Sequence, residues 1–320
     1  GVVFDDNYVA ELDVIVGEHV ELVRACGQLS PNSQTNAVVV KLLILQRELE
    51  QVLNEVALRQ EPLSEEHLAR VAGFGELLSG SVVYGILCEL AFQRALGSIT
   101  SESRAHIQAA GLRLEDLSPE LLAPQRSPHR GSAGSTVVPG LDRQIVPWAV
   151  QGEGLGDVRL AVAQVVLLDP RELIITADSE RFDNVRVDAP TTNRRIQDLV
   201  LQVQAQIYLL PGYLVGRPDG RTAVLGRNGS DTSASILAAA LGARQMVKVT
   251  NVDGIFDRDP RTSDGALLQP HLGYSQALSI VSAGGHVLHG PAIERARDAG
   301  ITIRVRSVAG SQDAGTVIGS

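Results

Sequence analysis

The chain has 320 residues, with 37 acidic against 28 basic side chains and a formal net charge of −9 at pH 7. Its basic residues are scattered, and lysine occurs only as Lys41 and Lys248, so a surface for a polyanion such as nucleic acid, which needs clustered Lys and Arg, is not expected. Cys26 and Cys88 lie in apolar helical contexts without CxxC or Cys/His ligand spacing and read as buried free thiols of a reducing compartment. No run of about 18 uninterrupted apolar residues and no basic-then-apolar start occurs, so a cytoplasmic protein without a membrane partner is expected.

Residues 9–95 are helical by pattern, with apolar residues at three- and four-residue spacing from Leu42 to Leu58. Ser64, followed by Glu65, Glu66 and His67, predicts a fresh helix start, and this helix runs to Ala95. It contains Gly73–Ser79 (GFGELLS), where glycines beside Glu76 allow close packing or close ligand approach; by itself Glu76 reads as a solvated helix-face carboxylate. Residues 97–157 change character. Ser127–Ser135 (SPHRGSAGS) is turn-rich, more glycine follows at Gly152–Gly156, and the region reads as an insertion, part loop and part mobile, with Trp148 as an anchor. From about 160 onward strands alternate with helices. Strands are predicted at Val165–Leu168, Leu173–Thr176, Ile207–Leu210, Met246–Thr250 and Ile301–Val305, and helices at 191–204, 232–242, 275–283 and 291–299. That order predicts an α/β fold with a mostly parallel sheet, helices on both faces, and ligands beyond the strand carboxyl ends.

Three stretches carry chemistry. Arg221–Ala234 (RTAVLGRNGSDTSA) reads as an anion-handling loop feeding a helix. Gly226 and Gly229 let backbone approach an anion, the helix near Ser230 and Asp231 offers free N–H groups and a positive dipole end, and Arg227 can grip a carboxylate or phosphate. Ser230 or Asp231 capping that helix is the plainer alternative. Thr250–Arg261 (TNVDGIFDRDPR) follows a strand directly and offers polar groups for a base and ribose and Arg261 for phosphate, or a solvated turn. Ala283–Ala292 (AGGHVLHGPA) is a loop entering a helix near Pro291; His286 or His289 can reach a phosphate or serve structure alone.

In this order, with Gly73–Ser79 upstream and Gly315–Ile318 (GTVI) near the end, these motifs resemble the catalytic domain of aspartate kinases in the amino-acid kinase superfamily. The resemblance covers about 160–320 strongly and about 9–95 fairly. It implies a three-layer α/β/α sandwich with a mostly parallel central sheet, a helical substrate-side region at 9–95, an insertion at 97–157, a nucleotide-binding part at 160–320 and no regulatory domain. It further implies transfer of the ATP γ-phosphate to the side-chain carboxylate of aspartate or a similar amino acid, with Mg²⁺ held mainly by the ATP phosphates, a place in amino-acid biosynthesis and a homodimer. Glu76 would take the substrate's amino group and Arg227 its carboxylate, with Ser79 and Phe182 in the same pocket. Ser230 and Asp231 would stand at the phosphates and metal as catalytic residues. Gly229, Ser230, Thr250, Asn251, Phe256, Arg261 and His286 would hold the nucleotide.

The chain departs from the family pattern mainly where phosphate is held. The family's opening Lys-Phe-Gly-Gly strand has no match, and Gly1–Asp5 (GVVFD) offers neither its lysine nor its glycine pair. His286 stands in place of a phosphate-contacting lysine, Asn251 of an aspartate, and Asn228 and Asp183 of glycines. Neutral imidazole is a poorer clamp than ammonium. Two explanations are open: a chain lacking an N-terminal segment, or a homologue with an altered or abandoned reaction. The alternatives to an aspartate kinase are therefore a pseudoenzyme that binds an amino acid without phosphoryl transfer, and a kinase for another small carboxylic acid.

Overall fold

The computed structural model describes residues 8–27, 33–59, 64–97, 108, 122–124, 148–150 and 165–319, the last range apart from 179, 204, 259, 261, 262, 264, 284–286 and 310–314. Ser127–Ser135, Gly152–Gly156, Arg261 and His286 lie outside the described residues. The chain divides into two compact units, one of Gly1–Asp169 with Val203–Pro211, the other of Pro170–Gln202 with Gly212–Ser320.

In the first unit α1 (Tyr8–Gly27), α2 (Ser33–Arg59) and α3 (Glu65–Gly97) pack around one apolar core. Val16 and Val20 of α1, Leu42 and Leu49 of α2, and Phe74 and Leu78 of α3 lie within it at helical spacing. The predicted start at Ser64 is present: its Oγ accepts the His67 N–H at 3.2 Å and pairs with the His67 ring at 2.9 Å. Within α3, Glu65–Ala91 is long and apolar enough to cross a membrane by length and composition, with a mean hydropathy of 1.5; the stripe of Phe74, Leu78 and Val82 belongs to the three-helix core. Strands β1 (Leu122–Pro124) and β2 (Trp148–Val150) pair antiparallel, while β3 (Val165–Leu167) pairs parallel with β4 (Ile207–Leu209). Tyr208 fixes the approach to β4 by donating its hydroxyl proton to the Val203 carbonyl and accepting the Ala205 N–H at 3.0 Å.

The second unit begins with α4 (Pro170–Leu173) and α5 (Ala189–Gln202), then the hairpin β5 (Leu214–Gly216) and β6 (Thr222–Val224). After these come α6 (Gly229–Ala240), β7 (Gln245–Thr250), β8 (His271–Gly273), α7 (Tyr274–Ser282), α8 (Gly290–Asp298), β9 (Thr302–Ser307) and β10 (Thr316–Gly319). The sheet runs β7-β9-β10-β8, with β7–β9 and β8–β10 parallel and β9–β10 antiparallel. Ile303 and Val305 of β9 alternate with half-buried Thr302 and Arg304, as a strand pleat requires. They meet Ile293 and Ala296 of α8 and Ala277 of α7 in the core. The Tyr274 hydroxyl, donating to the Ile301 carbonyl at 2.8 Å, ties the start of α7 to the start of β9.

One departure from the periodicity has a local cause. Leu173–Thr176, an expected strand, divides into the end of α4 and single bridges at Ile175 and Thr176. Pro170 pre-sets a helical first turn, closed by the Ile174 N–H on the Pro170 carbonyl at 2.9 Å, and a four-residue apolar run cannot distinguish the two states. Gly216 then passes so close to α4 that a Cβ on it would lie 1.8 Å from the Arg171 carbonyl oxygen.

Candidate functional site

The turn into α6 is built by the backbone. Leu225 N–H donates to the Tyr213 carbonyl at 2.9 Å, and Gly226 turns with φ 76°. Gly229 N–H then closes back on the Gly226 carbonyl at 3.0 Å. Asn228 is the N-cap at φ 59°, ψ 28°, with no side-chain capping bond. Asparagine tolerates this left-handed conformation better than other non-glycine residues. The expectation that Ser230 or Asp231 caps the helix is therefore corrected: both lie in its first turn. Segment 212–213 lies against that turn. A Cβ on Gly212 would sit 2.7 Å from Ser230 Oγ, one on Gly229 would sit 2.8 Å from the Tyr213 ring, and Tyr213 N–H donates to Ser233 Oγ at 3.1 Å. First-turn N–H groups have no intrahelical acceptor, so this end of α6 favours an anion.

Asp231 is buried and accepts the Lys248 ammonium of β7 in an ion pair. Next to it Thr232 Oγ1 pairs with His289 Nδ1 at 3.2 Å, and one turn on Arg295 donates to Ser235 Oγ at 3.0 Å, which fastens α6 to α8.

At the carboxyl end of β7 opens a cavity of about 610 Å³, lined among others by Lys248, Thr250, Asn251, Phe256, Ser279 and Leu288. Its size and mixed lining suit a small-molecule ligand. Thr250 Oγ1 donates to Asn251 Oδ1 at 3.3 Å. The loop beyond is anchored from below, where Ile255 N–H donates to the buried Thr316 Oγ1 at 2.7 Å. At the rim the Leu267 N–H, and then the Arg258 guanidinium, hold the Asp257 carboxyl below the usual carboxylate range.

The structure thus brings Thr250, Asn251 and Phe256 to one cavity, and Lys248 joins that cavity to Asp231. Arg227 is exposed on the turn before α6. Phe182 lies in the same unit with its ring against two guanidinium groups, Arg217 at 4.3 Å and Arg221 at 4.8 Å, which Asp219 bridges at 3.3 and 2.8 Å. Glu76, half-buried, and Ser79, exposed, lie on α3 in the other unit. Among the described residues no group of three or more His, Cys, Asp or Glu could hold a metal ion. Sequence reasoning passed over Lys248, which lines the cavity and pairs with Asp231. Its signal was present: one of two lysines in the chain, two residues before Thr250 on a strand.

A glycine turn feeding a helix N-terminus, beside a cavity at a strand end, is the layout of an anion-binding α/β protein. A sequence profile of the amino acid kinase family matches residues 88–307, and the chain belongs to that family. It is 32% identical over 154 residues to the bifunctional aspartokinase/homoserine dehydrogenase of Buchnera aphidicola, covering 48% of this chain and 19% of that one. It is 35% identical over 140 residues to aspartokinase 2 of Bacillus subtilis, covering 42% and 34%. The chain spans between a fifth and about a third of the length of these relatives. The crystal structure of E. coli aspartokinase III in complex with aspartate and ADP superposes with a TM-score of 0.63 and 19% identity, covering 98% of this chain and 56% of that one. This likeness establishes the shared fold.

Proposed function

We propose that the protein is an ATP-dependent phosphotransferase acting on the side-chain carboxylate of aspartate or a similar amino acid. The observation that carries the reading is the cavity at the end of β7, lined by Thr250, Asn251 and Phe256 and joined through Lys248 to Asp231 in the first turn of α6. Phe256 would face the base and Thr250 and Asn251 the polar edge of the nucleoside, while the first-turn N–H groups of α6 at Ser230 and Asp231 donate to phosphate oxygens. Arg227 would take the amino acid's α-carboxylate.

The reaction needs little covalent chemistry from the protein. An oxygen of the side-chain carboxylate, already ionised at neutral pH, forms a bond to the γ-phosphorus as the bond to the β–γ bridging oxygen breaks. ADP leaves with that electron pair, and no proton is transferred. The protein's share is alignment and neutralisation of charge on the phosphoryl oxygens. Asp231 is the buried carboxylate among the described residues of this unit, a hard oxygen donor that fits a divalent cation held chiefly by the nucleotide phosphates. When bound, Mg²⁺ would withdraw charge from those phosphates.

The test is ATP consumption with aspartate and Mg²⁺ in the presence of hydroxylamine, whose nitrogen displaces phosphate from an acyl phosphate to give a hydroxamate. Aspartate-dependent hydroxamate is expected. ATP and aspartate both bound, with no hydroxamate from aspartate or other small amino-dicarboxylates, would reject the catalytic reading.

A further inference from the structure

We propose that Lys248 is the phosphate-contacting cation of this site, an inference that rests on the nucleotide reading above. Three observations converge on it. Along β7, Met246, Lys248 and Thr250 form the more buried face, while Gln245, Val247 and Val249 are exposed. The two-residue period of a strand therefore sets the ammonium stem and the Thr250 hydroxyl on one side, and both line the cavity. The ammonium also reaches Asp231 in the first turn of α6, the end of that helix that favours anions. An ammonium has three donors, so one oxygen of Asp231 leaves capacity for phosphate oxygens. The Lys248 side chain keeps 30% of its exposure while Asp231 keeps 8%, so the acid is the fixed anchor and the cation faces the open side.

The other candidates are less well placed. Arg258 is the other described cation lining the cavity, and it is exposed and paired with Asp257. Lys41, the remaining lysine, belongs to α2 in the other unit. Lys248 supplies an ammonium from β7. Asp231 holds it in place between turnovers and would share it with the nucleotide during them.

The proposal is tested by comparing adenosine, ADP and a non-hydrolysable ATP analogue on the wild type, Lys248→Met and Lys248→Arg by calorimetry. The wild type is expected to gain affinity as phosphates are added. Lys248→Met should lose about tenfold or more for the triphosphate while adenosine binding stays within about twofold; Lys248→Arg should recover part of the loss. Because Lys248→Met strands the Asp231 charge, Lys248→Met/Asp231→Asn, which removes both charges together, is measured alongside and should show the same phosphate-selective loss. Equal weakening of adenosine and triphosphate, or no weakening of either, would show that the pair serves structure alone and overturn the proposal. A wild type that binds none of the three ligands would overturn the nucleotide reading itself.

Discussion

Thr316→Val separates what holds the nucleotide loop from what merely fills space. Thr316 is fully buried at the start of β10, and its Oγ1 accepts the N–H of Ile255, which is itself only 3% exposed. Valine keeps the outline and removes the acceptor. The stranded N–H costs about 1–3 kcal/mol, and the added methyl returns about 0.8 kcal/mol of burial, so a net loss of about 1 kcal/mol is expected. Thr316→Ser keeps the hydroxyl and loses a methyl, which also costs about 1 kcal/mol. Stability by urea unfolding therefore does not tell the two variants apart, and amide exchange does. Ile255 should exchange faster in Thr316→Val and stay protected in Thr316→Ser, because only the first removes its acceptor. Triphosphate affinity should fall in Thr316→Val with it, since Ile255 precedes Phe256 in the cavity wall. Equal Ile255 protection in both variants would refute the anchoring role.

Asn228→Gly should leave the melting temperature nearly unchanged and Asn228→Ala should cost about 1 kcal/mol, because the residue sits at φ 59°; equal melts would refute the left-handed cap. Gly216→Ala places a Cβ 1.8 Å from a backbone oxygen while both Gly216 backbone groups are bonded, at 2.8 and 2.9 Å. Soluble folded yield should collapse or stability fall by more than about 4 kcal/mol, whereas Gly220→Ala, at φ 83° with open space around it, should cost only about 1 kcal/mol. Burial, opposed by a hydrogen bond from Tyr84 and reinforced by the charge of Glu89, pushes the Cys88 thiol from 9.0 up to about 11. The raised folded-state value makes this contribution to stability complete below pH 9 and lost as pH rises through about 11. At pH 8 iodoacetamide should label Cys88 slowly in the folded protein and rapidly in urea, and equal rates in peptide-resolved mass spectrometry would contradict that protection.

Helix positions were the most legible part of the fold. The patterns at 232–242 and 291–299 became α6 (Gly229–Ala240) and α8 (Gly290–Asp298), displaced only at their ends. Long periodic segments average out single residues, whereas β8 has three residues and β10 four, too few for a period of two to register. The loop motifs were legible as chemistry but incompletely as geometry. Asn228 registered as a departure from glycine, and only its dihedral angles explain why the departure is tolerated. The contact of the Phe182 ring with Arg217 and Arg221 depends on the β5–β6 hairpin, which left no periodic trace. Lys248 was visible as a rare residue, yet its partner lies 17 positions away on a helix, a contact that no spacing rule along one strand predicts.

The position of β9 also governs when the protein can acquire its cavity. Among the described residues β7 has a single ladder neighbour, pairing from Gln245 with Thr302 through Thr250 with Ser307. Closing so long a loop costs chain entropy before any hydrogen bond is gained, so this pairing is a slow and late event. A ribosome making the protein from its amino end will have emitted the glycine turn, Asp231, Lys248 and Thr250 well before the strand that aligns them has cleared the tunnel. A nascent chain halted short of Thr302 would carry the glycine turn, Asp231, Lys248 and Thr250 and still lack the strand that pairs with β7.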